Sequence, residues 1–172
     1  EKQKVPTRKL LEDSYHFWYI GKSYYDSTLG EYPLGMDHIR EYARRSIFYF
    51  GQYLNFKHDY HNTGQAKQMD ELAYFALYAM GDMFKLCGNY EKALDCGMKA
   101  EEFAPPRNEH IVLQAECYKD LNDFDSMKVQ TDRLMDPNRK LPFPEFNFLL
   151  NMEHYNDSGK YCEQLHQIAN QV

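Results

Sequence analysis

The chain has 172 residues, 27% of them charged and 43% hydrophobic, with 15 Tyr, 11 Phe and a formal net charge of −6. That length fits one domain or one array of repeats with a sizeable core, and the apolar and aromatic content excludes a disordered segment. The acidic balance excludes nucleic acid and anionic membrane as the main partner, and the longest apolar run, Ala73 to Met80, is far too short to span a bilayer.

The chain opens Glu-Lys-Gln-Lys-Val-Pro, without an initiator Met or the apolar stretch of a signal peptide. We expect a piece of a longer protein and a cytoplasmic, intracellular location. A first helix is predicted from Ser14, carrying Phe17, Gly21 and Tyr24, and is followed by a long turn from Asp26 to Asp37 that holds Gly30, Pro33 and Gly35. A helical run then spans Ile39 to Phe56. An irregular stretch from Asn55 to Gln68 separates it from an amphipathic run between Met69 and Leu86. Gly88 marks the next turn and Pro105 the end of the following helix. Asn108 reads as the N-cap of another helix and Asn122 as the turn that ends it. Pro137 to Pro144 breaks the chain before a last, incomplete helical pair. Cys87, Cys96, Cys117 and Cys162 show no C-x-x-C spacing, so they read as reduced, buried thiols.

Two segments align at a shift of 34 residues: Gly81 on Ala115, Phe84 on Tyr118, Gly88 on Asn122, Tyr90 on Phe124 and Ala93 on Met127. Each position has a physical task. The small residue lets two helices approach, the first aromatic fills the space between them, and Gly or Asn tolerates the left-handed backbone that ends the first helix. This pattern resembles the tetratricopeptide repeat, whose period is about 34 residues. Tyr155, Gly159 and Tyr161 echo it later, and Phe17, Gly21 and Tyr24 earlier. The expected fold is all-α, a right-handed solenoid of antiparallel helix pairs with about seven helices. The repeats fall near 14–56, 69–107, 108–137 and 144–172, within a single domain over 1–172.

Three strings carry a narrower resemblance: Phe17 to Tyr24, Ala73 to Asp82, and Ala100 to Glu109 with its Phe103-x-Pro105-x-Arg107-x-Glu109 motif. Together with Tyr42-Ala43-Arg44-Arg45-Ser46 they resemble the tetratricopeptide-like region found C-terminal to family-2 glycosyltransferase domains of bacterial and large-virus type. The long turn at 26–37 departs from that family's short one. The resemblance implies a non-catalytic accessory module of an enzyme that transfers a sugar from a nucleotide-sugar donor, with catalysis outside this chain and no cofactor within it.

The residues point the same way. The one Asp-x-Asp string, Asp123-Phe124-Asp125, falls in a repeat turn, where its carboxylates suit a helix start better than a metal. His58, Asp59 and His61 have a spacing that could hold a cation but read as a polar loop between repeats. No P-loop, G-x-S-x-G or G-x-G-x-x-G appears, so no catalytic and no metal residue is assigned. Arg107 and Glu109 flank a helix start, where Glu109 complements the helix dipole and Arg107 braces the stack.

Helical solenoids bind partners on the face lined by the first helix of each pair. By repeat register, its exposed positions are Tyr15, Trp18, Lys22 and Tyr25 in the first repeat and Phe75, Tyr78, Asp82 and Lys85 in the second. The third repeat contributes Glu109, Val112, Glu116 and Lys119. The groove is therefore expected to be aromatic in its first half and of mixed charge in its second. Its partner would be a protein or peptide, the parent catalytic domain, a glycan, or another copy of the chain. The alternative reading is a free-standing adaptor that binds a peptide or helix in that groove.

Overall fold

A computed structural model describes residues 8–30, 35–59, 66–103 and 107–136. They form six α-helices: α1 (Arg8–Leu29), α2 (Met36–Asp59), α3 (Ala66–Leu86), α4 (Tyr90–Glu101), α5 (Glu109–Asp120) and α6 (Phe124–Leu134). No strand occurs among the described residues, so the all-α expectation holds for them. The chain divides into two compact units, Glu1–Pro105 with α1 to α4 and Pro106–Val172 with α5 and α6; in the first α1 packs on α2, α2 on α3 and α3 on α4, and in the second α5 packs on α6. No described helix is long and apolar enough to cross a membrane. The helix pair expected over 144–172, Cys162, Pro105 and the side chains of His58, Asp59 and His61 lie outside the described residues.

The α3–α4 and α5–α6 hairpins are equivalent residue by residue at the 34-residue shift. Gly88 (φ 76°) and Asn122 (φ 60°) adopt the left-handed backbone that the alignment requires. After α3, the amide of Gly88 donates to the carbonyl of Lys85 and that of Asn89 to Phe84, both at 2.9 Å. After α5, Asn122 donates to Lys119 at 3.0 Å and Asp123 to Tyr118 at 2.9 Å. Both pairs make the same double-bonded C-cap, which satisfies carbonyls that the helix end would otherwise orphan. The next residue then starts the next helix: the Asn89 side chain accepts from the Lys92 amide, and the Asp123 carboxylate from the Ser126 amide. Burial repeats as well, at Ala93, Cys96, Gly97 and Ala100 in α4 and at Met127, Gln130, Thr131 and Leu134 in α6. Asp123-Phe124-Asp125 is thus a helix N-terminus, its first carboxylate occupied by the cap.

Two local expectations are corrected. The turn placed at Asp26–Asp37 is helical at both of its ends, because α1 continues to Leu29 and α2 begins at Met36. The polar residues that suggested a turn bond back into α1: Ser23, Ser27 and Thr28 hydroxyls donate to carbonyls four residues earlier, and Lys22 pairs with Asp26. The stretch from Asn55 is likewise shorter than expected, as α2 runs to Asp59 and α3 starts at Ala66. Asn108 precedes α5 as expected, but its side chain makes no cap; its backbone N–H donates to Glu109 Oε2 at 3.1 Å.

Small residues set the packing of the first unit. A Cβ placed on Gly21 would lie 3.0 Å from the ring of Phe50, which is fully buried, so α1 and α2 can meet this closely only over glycine. The Ser46 hydroxyl donates to the Gly21 carbonyl at the same crossing, 2.9 Å away. Ala43, Ala73, Ala76 and Ala79 close the remaining helix contacts around Trp18, Tyr53 and Met83.

Candidate functional site

Of the residues expected to line a groove, Trp18, Tyr25, Phe75 and Asp82 of the first unit do converge, but onto one another. Trp18 and Tyr25 are 8% and 7% exposed, which overturns their placement on an open face. The Trp18 ring lies 5.4 Å from Phe75 and 6.3 Å from Phe50, and its indole N–H donates to the Leu72 carbonyl at 3.0 Å. Tyr25 stands edge-on to Phe75 at 5.7 Å and donates its hydroxyl to Asp82 Oδ2 at 2.9 Å. Burial, then the charge of Asp82 and the nearness of Tyr78, push the Tyr25 phenol well above its ordinary pKa. That phenol is a permanent donor. These contacts join α1 to α3 and explain why half of the expected aromatic face is core.

What stays accessible on that side is narrower. Tyr15, Lys22, Tyr78, Asp82 and Lys85 are half-buried, and Phe75 is packed against the core with the Lys22 ammonium 6.0 Å from its ring centre. In the second unit Val112, Glu116 and Lys119 are half-buried on α5. Within the Phe103–Glu109 motif, Phe103 packs against the first unit's core, Glu109 is bonded to the Asn108 amide, and Arg107 is exposed. Among the described residues no group of His, Cys, Asp and Glu could hold a metal ion. Cys87, Cys96 and Cys117 are free thiols, and burial pushes Cys96 up to about 12.

A different concavity emerges on the other side of the first unit. Between α2, α3 and α4 lies a groove of about 780 Å³, inside the range of roughly 300–1,000 Å³ typical of ligand sites. Its floor is one stripe of α3, Leu77, Met80 and Phe84, with Leu54 of α2 opposite. Phe103 closes one end beneath the Lys57 ammonium, 4.4 Å from its ring centre, while Lys57 also pairs with Asp70 at 2.7 Å. Lys92 stands at the other end, 5.7 Å from the Phe84 ring centre, and Lys99 lies between, paired with Asp95 at 2.7 Å. Among the described residues no carboxylate meets Lys92.

Sequence reasoning missed this groove because it followed the first helix of each pair, whereas the walls are second helices. One signal was available. Gly51 sits in the middle of α2, where glycine costs helix stability, and no packing requires it. Compared with protein-family models and with curated proteins, the chain matches none.

Proposed function

We propose that the chain is a non-catalytic helical-repeat module that binds a protein or peptide. The observation that carries this reading is the position-by-position equivalence of α3–α4 and α5–α6, down to the left-handed residue, the double C-cap and the following N-cap. Repeated helical hairpins of this kind are stacking units whose stability comes from their neighbours and whose faces serve as extended binding surfaces. On this reading the repeats are tetratricopeptide-like, and a groove with an apolar floor and a charged rim is the form a binding site takes on them.

The link to sugar transfer is the second part of the proposal. It rests on the resemblance carried by Phe17–Tyr24, Ala73–Asp82 and Ala100–Glu109, and it makes the module an accessory to a catalytic domain outside this chain. The groove between α2, α3 and α4 favours the free-standing adaptor as the second reading, since it offers a binding site that needs no catalytic domain beside it.

Incubation of the chain with UDP-glucose, UDP-galactose or GDP-mannose and Mn²⁺ or Mg²⁺ tests the non-catalytic claim. We expect no release of nucleoside diphosphate. Release that is abolished by EDTA and by Asp125→Asn would overturn it.

A further inference from the structure

We propose that the groove between α2, α3 and α4 binds a peptide segment presenting two aromatic side chains about 10 Å apart, with a carboxylate beside the one that meets Phe84. This inference rests on the reading of the chain as a binding module and names the site and the chemistry of its partner.

The first argument is internal. The α1–α2 hairpin has the same furrow, because Phe17 and Tyr24 correspond to Leu77 and Phe84, and Tyr42 and Tyr49 correspond to Lys92 and Lys99. Both furrows are built on the same helix crossing, with Gly21 or Gly81 buried on one helix and Ala43 or Ala93 on the other. In α1–α2 the chain fills the furrow itself. Tyr24 lies 5.6 Å from Tyr42 and 6.0 Å from Tyr49, nearly parallel to the latter, and Phe17 stacks on Tyr49 at 6.4 Å. In α3–α4 the two ring positions carry lysines, whose ammonium groups lie at the rim and leave the apolar floor open. The first hairpin therefore shows what fits such a floor: two aromatic rings, two helical turns or about 10 Å apart. A single small aromatic acid would cover only one end.

The second argument is Gly51. A Cβ there would meet nothing within 4 Å, in contrast to Gly21, where it would strike Phe50. Glycine at Gly51 thus serves no contact inside the fold, yet it faces the groove from the middle of a 24-residue helix. A side chain at that position would enter open space on the groove side of α2. Glycine keeps that space free.

The third argument is charge. Lys57 is neutralised by Asp70 and Lys99 by Asp95, but among the described residues the Lys92 ammonium meets only the face of Phe84. A carboxylate next to the ring that occupies this end would pair with Lys92 at the edge of an apolar surface, where an ion pair fixes orientation and direction. The partner is then an acidic–aromatic segment, seated with its acidic end toward the start of α4.

The test is fluorescence anisotropy with two labelled peptides of that design, one extended with tyrosines three positions apart and one helical with tyrosines seven apart. Each has a glutamate beside one tyrosine. At least one should bind the wild-type chain, and replacing its tyrosines by Ala or its glutamate by Lys should weaken it about tenfold or more. Gly51→Leu fills the groove and should weaken binding by a similar factor with unchanged Trp18 emission and no loss of thermal stability. The double variant Lys92→Tyr, Lys99→Tyr rebuilds the filled furrow of the first hairpin and should do the same. Failure of both peptides to bind, or binding indifferent to Gly51→Leu, overturns the proposal, as does 4-hydroxyphenylacetate binding as tightly as the peptide. Binding that survives Gly51→Leu but is lost in Tyr78→Ala overturns the groove and leaves the binding-module reading standing. Nucleotide-sugar turnover overturns that reading instead.

Discussion

Gly21→Ala and Gly51→Ala are the same chemical change in the interiors of two adjacent helices, and the structure gives them opposite outcomes. Replacing an interior helical glycine by alanine gains about 0.5–1 kcal/mol from reduced unfolded-state freedom and better helix propensity. That gain is common to both sites and cancels in the difference between them. What remains is the steric term at Gly21, where the new methyl would sit 3.0 Å from two atoms of the Phe50 ring. Phe50 cannot yield, because it is fully buried and held between Trp18 at 6.3 Å and Phe75 at 6.0 Å. Overpacking of this kind costs about 1–3 kcal/mol. Gly51→Ala should therefore stabilise the chain by about 0.5–1 kcal/mol, and Gly21→Ala should fall about 1–3 kcal/mol below it. Urea unfolding followed by the emission of Trp18, the chain's single tryptophan and a core residue of the first unit, reads both on one signal. At roughly 2–4 °C per kcal/mol, the two melting temperatures should differ by about 2–12 °C. Equal stabilities, or a destabilised Gly51→Ala, would refute both the close crossing of α1 on α2 and the open space beside Gly51.

Gly88→Ala forces a Cβ into the left-handed region at φ 76° and should cost about 1–2 kcal/mol, whereas Asn122→Gly, at φ 60°, should be neutral or slightly stabilising in thermal melts. Tyr25→Phe removes the donor to Asp82 from a buried site and should cost about 1.5–3 kcal/mol in urea unfolding, an effect an exposed binding residue would lack. The Ser126 hydroxyl and amide hold Asp123 below its ordinary pKa. Its folded pKa is the lower one, so its cap is fully stabilising above about pH 4 and is lost as pH falls through the folded value; Asp123→Asn should flatten that part of the stability profile. Cys96, pushed up to about 12 by burial, should resist iodoacetamide at pH 8 in the native protein and react once unfolded, as read by peptide mass spectrometry.

The 34-residue equivalence was legible because turn chemistry is local: Gly88 and Asn122 announce a left-handed C-cap, and Asn89 and Asp123 the next N-cap, without knowledge of the rest of the chain. Helix ends with polar residues were less legible. Ser23, Ser27 and Thr28 favour turns in general, but in α1 their hydroxyls bond to carbonyls one turn back and extend the helix. The expected aromatic face failed at Trp18 and Tyr25 for a different reason. Register fixes the side of a helix on which a residue lies, not how closely a neighbouring helix approaches that side. The groove was illegible from the register because it arises by subtraction, from Lys92 and Lys99 standing where the first hairpin has Tyr42 and Tyr49. Only Gly51, an unexplained glycine in mid-helix, pointed to it from sequence.

The most direct test of a binding module whose site lies between α2, α3 and α4 is a ¹⁵N chemical-shift titration with the acidic–aromatic peptides. The account predicts shifts concentrated at Gly51, Leu54, Met80, Phe84, Lys92 and Lys99. Shifts confined to Tyr15, Lys22, Tyr78, Lys85 and Lys119, with the groove unmoved, would contradict it.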